Sequence, residues 1–198
     1  MLTSFSTLVS DVMSLTNRPD LVNETNLAVR AATLKAHHSD DYIRDLTEYS
    51  ITFSAPDYYQ SLDFKNVIPL WRKPNYIRKF NLATGLPGTF LEYILPEKAV
   101  DRYHADRLDV FYVAGSNIQI RSSDQLQYLL VGAYTNPVVT SVGYGSWIAD
   151  DYPFAIVYEA TAIIFKTIGF DEQVVMYRQM VAEQLQLLKQ HAITGIGM

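Results

Sequence analysis

Two adjacent imidazoles and two adjacent carboxylates, His37-His38 and Asp40-Asp41, are by type the residues best suited to hold a divalent ion. Neighbouring positions on a helix point about 100° apart, so one metal would rarely engage both imidazoles. A polar helix end, with His near the negative pole and Asp opening the next turn, accounts for the same run. His104 and His191 have no motif neighbours, and without a G-x-S-x-G elbow a serine partner could be chosen only at will. Gly143-Tyr144-Gly145 and Gly195-Ile196-Gly197 stop short of a phosphate loop, since neither extends to G-x-G-x-x-G or to G-K-[ST]. Asp150 and Asp151 could serve acid/base chemistry, but Pro153 behind them marks a helix start that they would cap. The absence of cysteine excludes thiol nucleophiles, disulfides and thiolate metal sites. The sequence therefore predicts no catalytic residue, no metal site and no cofactor.

Concentrated positive charge occurs in one stretch, Trp71 to Phe80, where Trp71, Arg72, Lys73, Tyr76, Arg78 and Lys79 interleave cations with aromatic rings. Single-strand nucleic-acid readers use that combination. The formal net charge of −5 opposes general binding to DNA or to anionic membranes, which needs a basic field. A solvated strand face or a protein contact is accordingly the expected role, and these six residues are the candidates for a subunit or nucleic-acid contact. The 14 tyrosines add to the case for protein contacts, because tyrosine joins apolar area to a polar tip. The N-terminal stretch has no basic region before Asp11 and is expected not to be a signal peptide. No apolar run approaches the roughly 20 residues of a membrane span.

The elements that would carry these residues are written in periodicity. Residues 2–16 place Leu2, Phe5, Leu8, Val9, Val12 and Leu15 on one helical face, and a second helix runs from Leu21 to about His38 behind an Asp20 cap. The middle changes to strand-like runs at 48–53, 75–80, 90–94, 109–113, 117–121 and 126–134, with loops at Pro56–Tyr59 and Gly85–Gly88 and a hairpin turn at Ala114–Ser116. Trp147 to Gly169 reads as one helix capped by Asp150 and Asp151, with Ile156, Val157, Ala160, Ile163, Ile164 and Ile168 as its buried stripe and Tyr158 on a polar edge open to a neighbouring subunit. A last helix follows from Asp171 to about His191. The predicted class is α+β, with terminal α-helices forming a small helical bundle and a β-rich module inserted in the middle. The bundle takes residues 1–45 and 147–192, the module 46–146, and residues 193–198 form an extended tail.

As an ordered pattern the chain resembles the head-to-tail adaptor, or connector and neck, proteins of tailed bacteriophages. The resemblance rests on A-A-T-L-K-A-H-H-S-D-D-Y-I-R-D-L at 31–46, V-I-P-L-W-R-K-P-N-Y-I-R-K at 67–79, D-V-F-Y-V-A-G-S-N-I-Q-I-R at 109–121 and the block from Trp147 to Glu172. It implies a structural subunit of the virion, assembled in the host cytoplasm as a homo-oligomeric ring, a dodecamer, beneath the portal protein. A downstream tail or neck protein would lie on the other side, DNA would pass through the lumen without sequence-specific binding, and no membrane would be involved. Helices would form the ring body, and the tail Ile193, Thr194, Gly195, Ile196, Gly197 and Met198 would dock on the portal. The alternatives are a tail-tube or tail-terminator protein, or an enzyme or ligand-binding module whose pocket the sequence does not display.

Overall fold

The computed structural model describes residues 3–81, 84, 86–99 and 106–194. The fold is α+β, and the chain divides into two compact units: residues 1–45 with 136–198, and residues 46–135.

The first unit is helical. Its opening helix α1, Phe5–Thr16, is capped by Ser4, whose hydroxyl accepts the Thr7 N–H at 3.1 Å, and it buries Phe5, Leu8 and Val12. Asn17 ends it in the left-handed region at φ 51°, a conformation asparagine tolerates. Helix α2, Val22–His37, begins without the expected cap: Leu21 holds the cap position, and Asp20 is instead engaged by Arg18 at 2.7 and 2.8 Å. Ala28, Ala32 and Ala36 are buried on α2, and their small side chains admit a close helix neighbour.

The expected single helix from 147 to 169 is two. A short α4, Trp147–Asp151, is capped by Ser146, and α5, Pro153–Thr167, follows after a break at Tyr152 with φ −137° and ψ 56°. The residue preceding a proline is driven out of the helical region by the ring, so the break falls on Tyr152 while Pro153 opens the next helix. Asp150 and Asp151 are consequently not the cap of α5. Asp150 accepts the Thr3 N–H at 2.6 Å and Asp151 pairs with Arg44. Gly169 at φ 81° turns the chain into α6, Asp171–Thr194, which buries Val174, Tyr177, Val181 and Leu188. The core joins α1, α2, α4, α5 and α6 through Leu8, Val12, Val29, Ile148, Ile156, Ile164 and Leu188, all fully buried. Residues 136–146, expected in the β module, belong to this unit, and Tyr144 packs on Phe5 with ring centroids 5.5 Å apart.

The second unit is a curled sheet of β1, Leu46–Asp63; β2, Trp71–Asn81; β3, Leu86–Tyr93; β4, Val110–Ala114; and β5, Asn117–Thr135, with a one-turn helix α3, Phe64–Val67, between β1 and β2. The two predicted strands at 117–121 and 126–134 are one, and Pro56–Tyr59 lies inside β1 as an irregular stretch. Likewise Leu86–Gly88 starts β3 where a loop was expected. β1 lies along β5 for nearly its whole length, with register shifts between Thr52 and Tyr59. The other side of β5 is shared: residues 117–121 pair with β4 and residues 129–135 with β2. Because β3 pairs with both β2 and β4, the strands close a circuit β5–β2–β3–β4–β5. Inside it lie Ile77, Phe111, Ile118, Ile120, Leu129 and Val131. The Gly115-Ser116 turn joins β4 to β5, with Gly115 at the positive φ such a turn requires.

Candidate functional site

Three side chains far apart along the chain meet in the helical unit. His37 ends α2, Asp45 closes the 3₁₀ turn Ile43–Asp45, and Ser146 caps α4. His37 Nδ1 lies 2.8 Å from Asp45 Oδ1 and 3.0 Å from Oδ2, and His37 Nε2 lies 2.8 Å from Ser146 Oγ. A carboxylate only accepts, so with a neutral ring Nδ1–H donates to Asp45 and Nε2 accepts the serine O–H. That is the relay by which a histidine activates a serine nucleophile. Trp147 Nε1–H donates to the same Asp45 oxygen at 2.7 Å, and the Trp147 ring stands edge-on to His37 and to Tyr42. The environment decides what the relay can do. Exposures are 1% at His37, 5% at Asp45 and 6% at Ser146, and the serine oxygen already accepts the Ala149 N–H at 3.2 Å. The nucleophile is enclosed and committed to a helix cap, so the group ties α2, the 3₁₀ turn and α4 together. His37 stands in the last turn of α2, at the helix's negative pole as expected, and is buried there. His38 points elsewhere, to Asn136 at 2.6 Å, so the two imidazoles share no site. His104 lies outside the described residues, and among those described no group of three His, Cys, Asp or Glu residues is arranged to hold a metal.

The basic stretch forms β2, and its charges are drawn into the module. Trp71 stacks on Phe64 with centroids 4.4 Å apart, and Arg72 and Lys73 lie over the Tyr134 ring at 5.6 and 5.5 Å. Tyr76 covers Gly132, donates to the Glu48 carboxylate and meets Phe90 edge-on at 5.5 Å. The Glu48 hydrogen bond, with burial added, pushes the Tyr76 phenol up to about 12. Arg78 lies over Phe90 at 4.4 Å. Lys79 alternates to the other face and pairs with Asp109 at 2.6 Å and Asp124 at 2.7 Å. Burial pushes Asp109 up, but the Lys79 ammonium and the Ser123 N–H and hydroxyl outweigh it and hold the carboxyl at about 2. A nucleic-acid platform needs unoccupied ring faces and a basic field. Here one face of Tyr76 is taken by Gly132, one of Phe90 by Arg78, and Lys79 by two carboxylates. A lone glycine within an apolar strand run is a signal of close backbone approach, and Gly132 in Leu-Leu-Val-Gly-Ala-Tyr carried that signal for Tyr76.

Tyr158 is half-buried, not exposed as expected. It stacks on Phe154 at 5.3 Å and meets Tyr177 at 5.9 Å, while Phe165 stacks on Tyr177 at 5.5 Å and abuts Phe170 at 6.1 Å. The five rings make a continuous row across α5 and the start of α6, with Phe154 51% and Phe170 49% exposed at its ends. In the predicted tail, Ile193 and Thr194 are still helical, as the last residues of α6, and Gly195, Ile196, Gly197 and Met198 lie outside the described residues. No helix of the described residues is long and apolar enough to cross a membrane. No protein-family model and no curated protein matches the chain.

Proposed function

We propose that the protein is a structural subunit of a bacteriophage head-to-tail connector, assembling as a twelve-fold ring beneath the portal and passing DNA through its lumen. The observation that carries this reading is the aromatic row on α5 and α6, half exposed at both ends on the surface of a helical unit. Contiguous apolar surface of that kind marks a protein contact, and tyrosine and phenylalanine are residues that interfaces favour. Two further features agree with it. Both chain ends contribute to one helical unit with the strand-rich module inserted between them, as the resemblance implies. A net charge of −5, with the basic strand engaged internally, suits a wall past which DNA slides. The test is the mass of the purified protein with and without portal: a closed ring bound to portal supports the reading, and a monomer in both conditions removes it.

A second reading, a serine hydrolase, has the Asp45–His37–Ser146 relay in its favour. Its test is covalent labelling by a fluorophosphonate. The connector reading predicts that Ser146 stays unlabelled in the folded protein, because its oxygen is buried and hydrogen-bonded on two sides.

A further inference from the structure

We infer that the cleft at the Asn81 end of β2 binds a neutral oligosaccharide, with sugar rings stacked on Phe80 and Tyr128; the inference goes beyond the connector reading and does not depend on it. The cleft forms where β1 loses register with β5, between Thr52 and Asp57. It is lined from β1 by Pro56, from β2 by Lys79 and Phe80, from β3 by Gly88 and Thr89, and from β5 by residues 124–128. Its volume is about 590 Å³ and it opens to solvent, within the range of about 300–1,000 Å³ that ligand clefts occupy. The walls are fixed by groups that serve the fold. Gln60 Nε2–H donates to the Ala55 and Leu126 carbonyls, both at 2.8 Å, and so holds the β1 wall to β5. Lys79 pairs with Asp109 and Asp124 and donates to Ser123 Oγ at 2.9 Å, which ties β2 to β5 and to the start of β4. Gly88 lets β3 come close, because a Cβ there would stand 3.2 Å from the Cβ and the carbonyl oxygen of Lys79. A cleft held in this way is preformed, which lowers the ordering cost of binding.

Other lining groups serve nothing in the fold. Phe80 and Tyr128 are half-buried, yet neither has a ring, cation or hydrogen-bond partner among the described residues. The amides of Gln125 and Gln127 and the Thr89 hydroxyl also have no side-chain hydrogen bond among the described residues. Two free aromatic faces beside free amides match the chemistry of a saccharide. The C–H face of a pyranose is apolar and positively polarised, and it settles on the negative face of an aromatic ring. Each sugar hydroxyl both donates and accepts, as a carboxamide does through its two ends. Charge selects against other ligands that stack. Lys79 is the one cation among the described lining residues, and the two carboxylates that hold it leave the group net negative, so a phosphate or sulfate is repelled. Asp124 is the one carboxylate among those lining residues and is held by Lys79, whereas glycoside cleavage needs two, so the cleft binds sugar without hydrolysing it.

The test is isothermal titration of the full chain with maltohexaose, cellohexaose and chitohexaose, beside a thymidine hexanucleotide and a sulfated heparin hexasaccharide. At least one neutral hexasaccharide is expected to bind, one per chain, with a dissociation constant of about 1 mM or tighter, and neither anionic probe is expected to bind. Phe80→Ala and Tyr128→Ala should each weaken that binding by about fivefold or more through the lost stacking. Because both rings are half-buried, the exposed positions supply a second measurement: Gln125→Ala and Thr89→Ala should lower the affinity and leave the melting temperature unchanged. Absence of binding by all three neutral probes, tighter binding of either anionic probe, or full affinity in the folded variants overturns the inference. Whether the chain forms a ring on the portal is decided by a separate assay, so the two readings fail independently.

Discussion

Replacing Gly132 by alanine tests the account of the basic strand. Gly132 faces Glu48 across β1 and Tyr76 across β2, so the Tyr76 ring must lie over the glycine to reach the Glu48 carboxylate. A Cβ at position 132 would stand 2.5 Å from Cε1 and Cζ of that ring and 2.9 Å from Cδ1, with no flexible end to yield. The ring has to move as a body. Overpacking costs about 1–3 kcal/mol. Losing the edge-to-face contact with Phe90 adds about 0.5–1.5 kcal/mol. The half-exposed hydrogen bond adds up to about 1 kcal/mol. Removing the conformational freedom of glycine from a strand returns about 0.5–1 kcal/mol. The net expectation is a loss of about 2–3 kcal/mol, which for a unit of this size lowers the melting temperature by roughly 10–20 °C. The assay is a double-mutant cycle read by urea denaturation. In a Tyr76→Ala background the ring is gone, and Gly132→Ala should be neutral or slightly stabilising. An equal penalty in both backgrounds would show that something other than Tyr76 requires the glycine.

The remaining expectations concern charge, the core and the aromatic row. Asp109 titrates at about 2 when folded against 3.8 unperturbed, so its contribution is complete above about pH 4 and is lost as pH falls toward 2. With its side chain 40% exposed, solvent screening leaves about 1 kcal/mol, and Asp109→Asn should remove that part of the acid sensitivity in melts taken across the window. His37→Ala leaves Asp45 and Ser146 buried without their common partner and should cost about 2–4 kcal/mol, with a change in Trp147 emission; a loss below about 1 kcal/mol would mean the relay does not hold the helices. Leu70 sits at φ 56° with its side chain 48% exposed, so Leu70→Gly should raise stability by about 0.5–1 kcal/mol in the same denaturation assay. Ile164, 1% exposed, should not tolerate Asp at all, whereas Tyr158→Asp should cost about 1–2 kcal/mol through its lost stacking, keep the far-ultraviolet circular dichroism of the fold and prevent assembly.

The class and the order of elements were legible because they depend on local pattern: the stripes of α1, α5 and α6 and the change to alternating residues after Leu46 are period signals. The failures have local causes as well. Tyr152 breaks the expected helix because of what Pro153 does to the residue before it, a rule that outweighs the unbroken apolar stripe on either side. Asp20 lies one position before the cap residue Leu21, and its carboxylate pairs with Arg18. At Pro56–Tyr59 turn-forming residues read as a loop, although β5 carries the strand through them. The Asp45–His37–Ser146 group was out of reach for another reason: its members lie 8 and 109 positions apart, and no local pattern joins them. Ser146 at the start of a helical run was a readable cap signal, yet nothing near it in sequence names His37 as its second partner. On β2 the residue types were correctly singled out, but their engagement with Glu48, Asp109, Asp124 and Tyr134 is set by strand register.

The most direct test of the connector proposal is electron microscopy of the purified protein mixed with a phage portal, alongside a mass measurement of the complex. The account predicts a closed ring of twelve 22.5 kDa subunits stacked coaxially on the portal, with an open lumen. A protein that remains monomeric, or a ring that never associates with the portal, would contradict it.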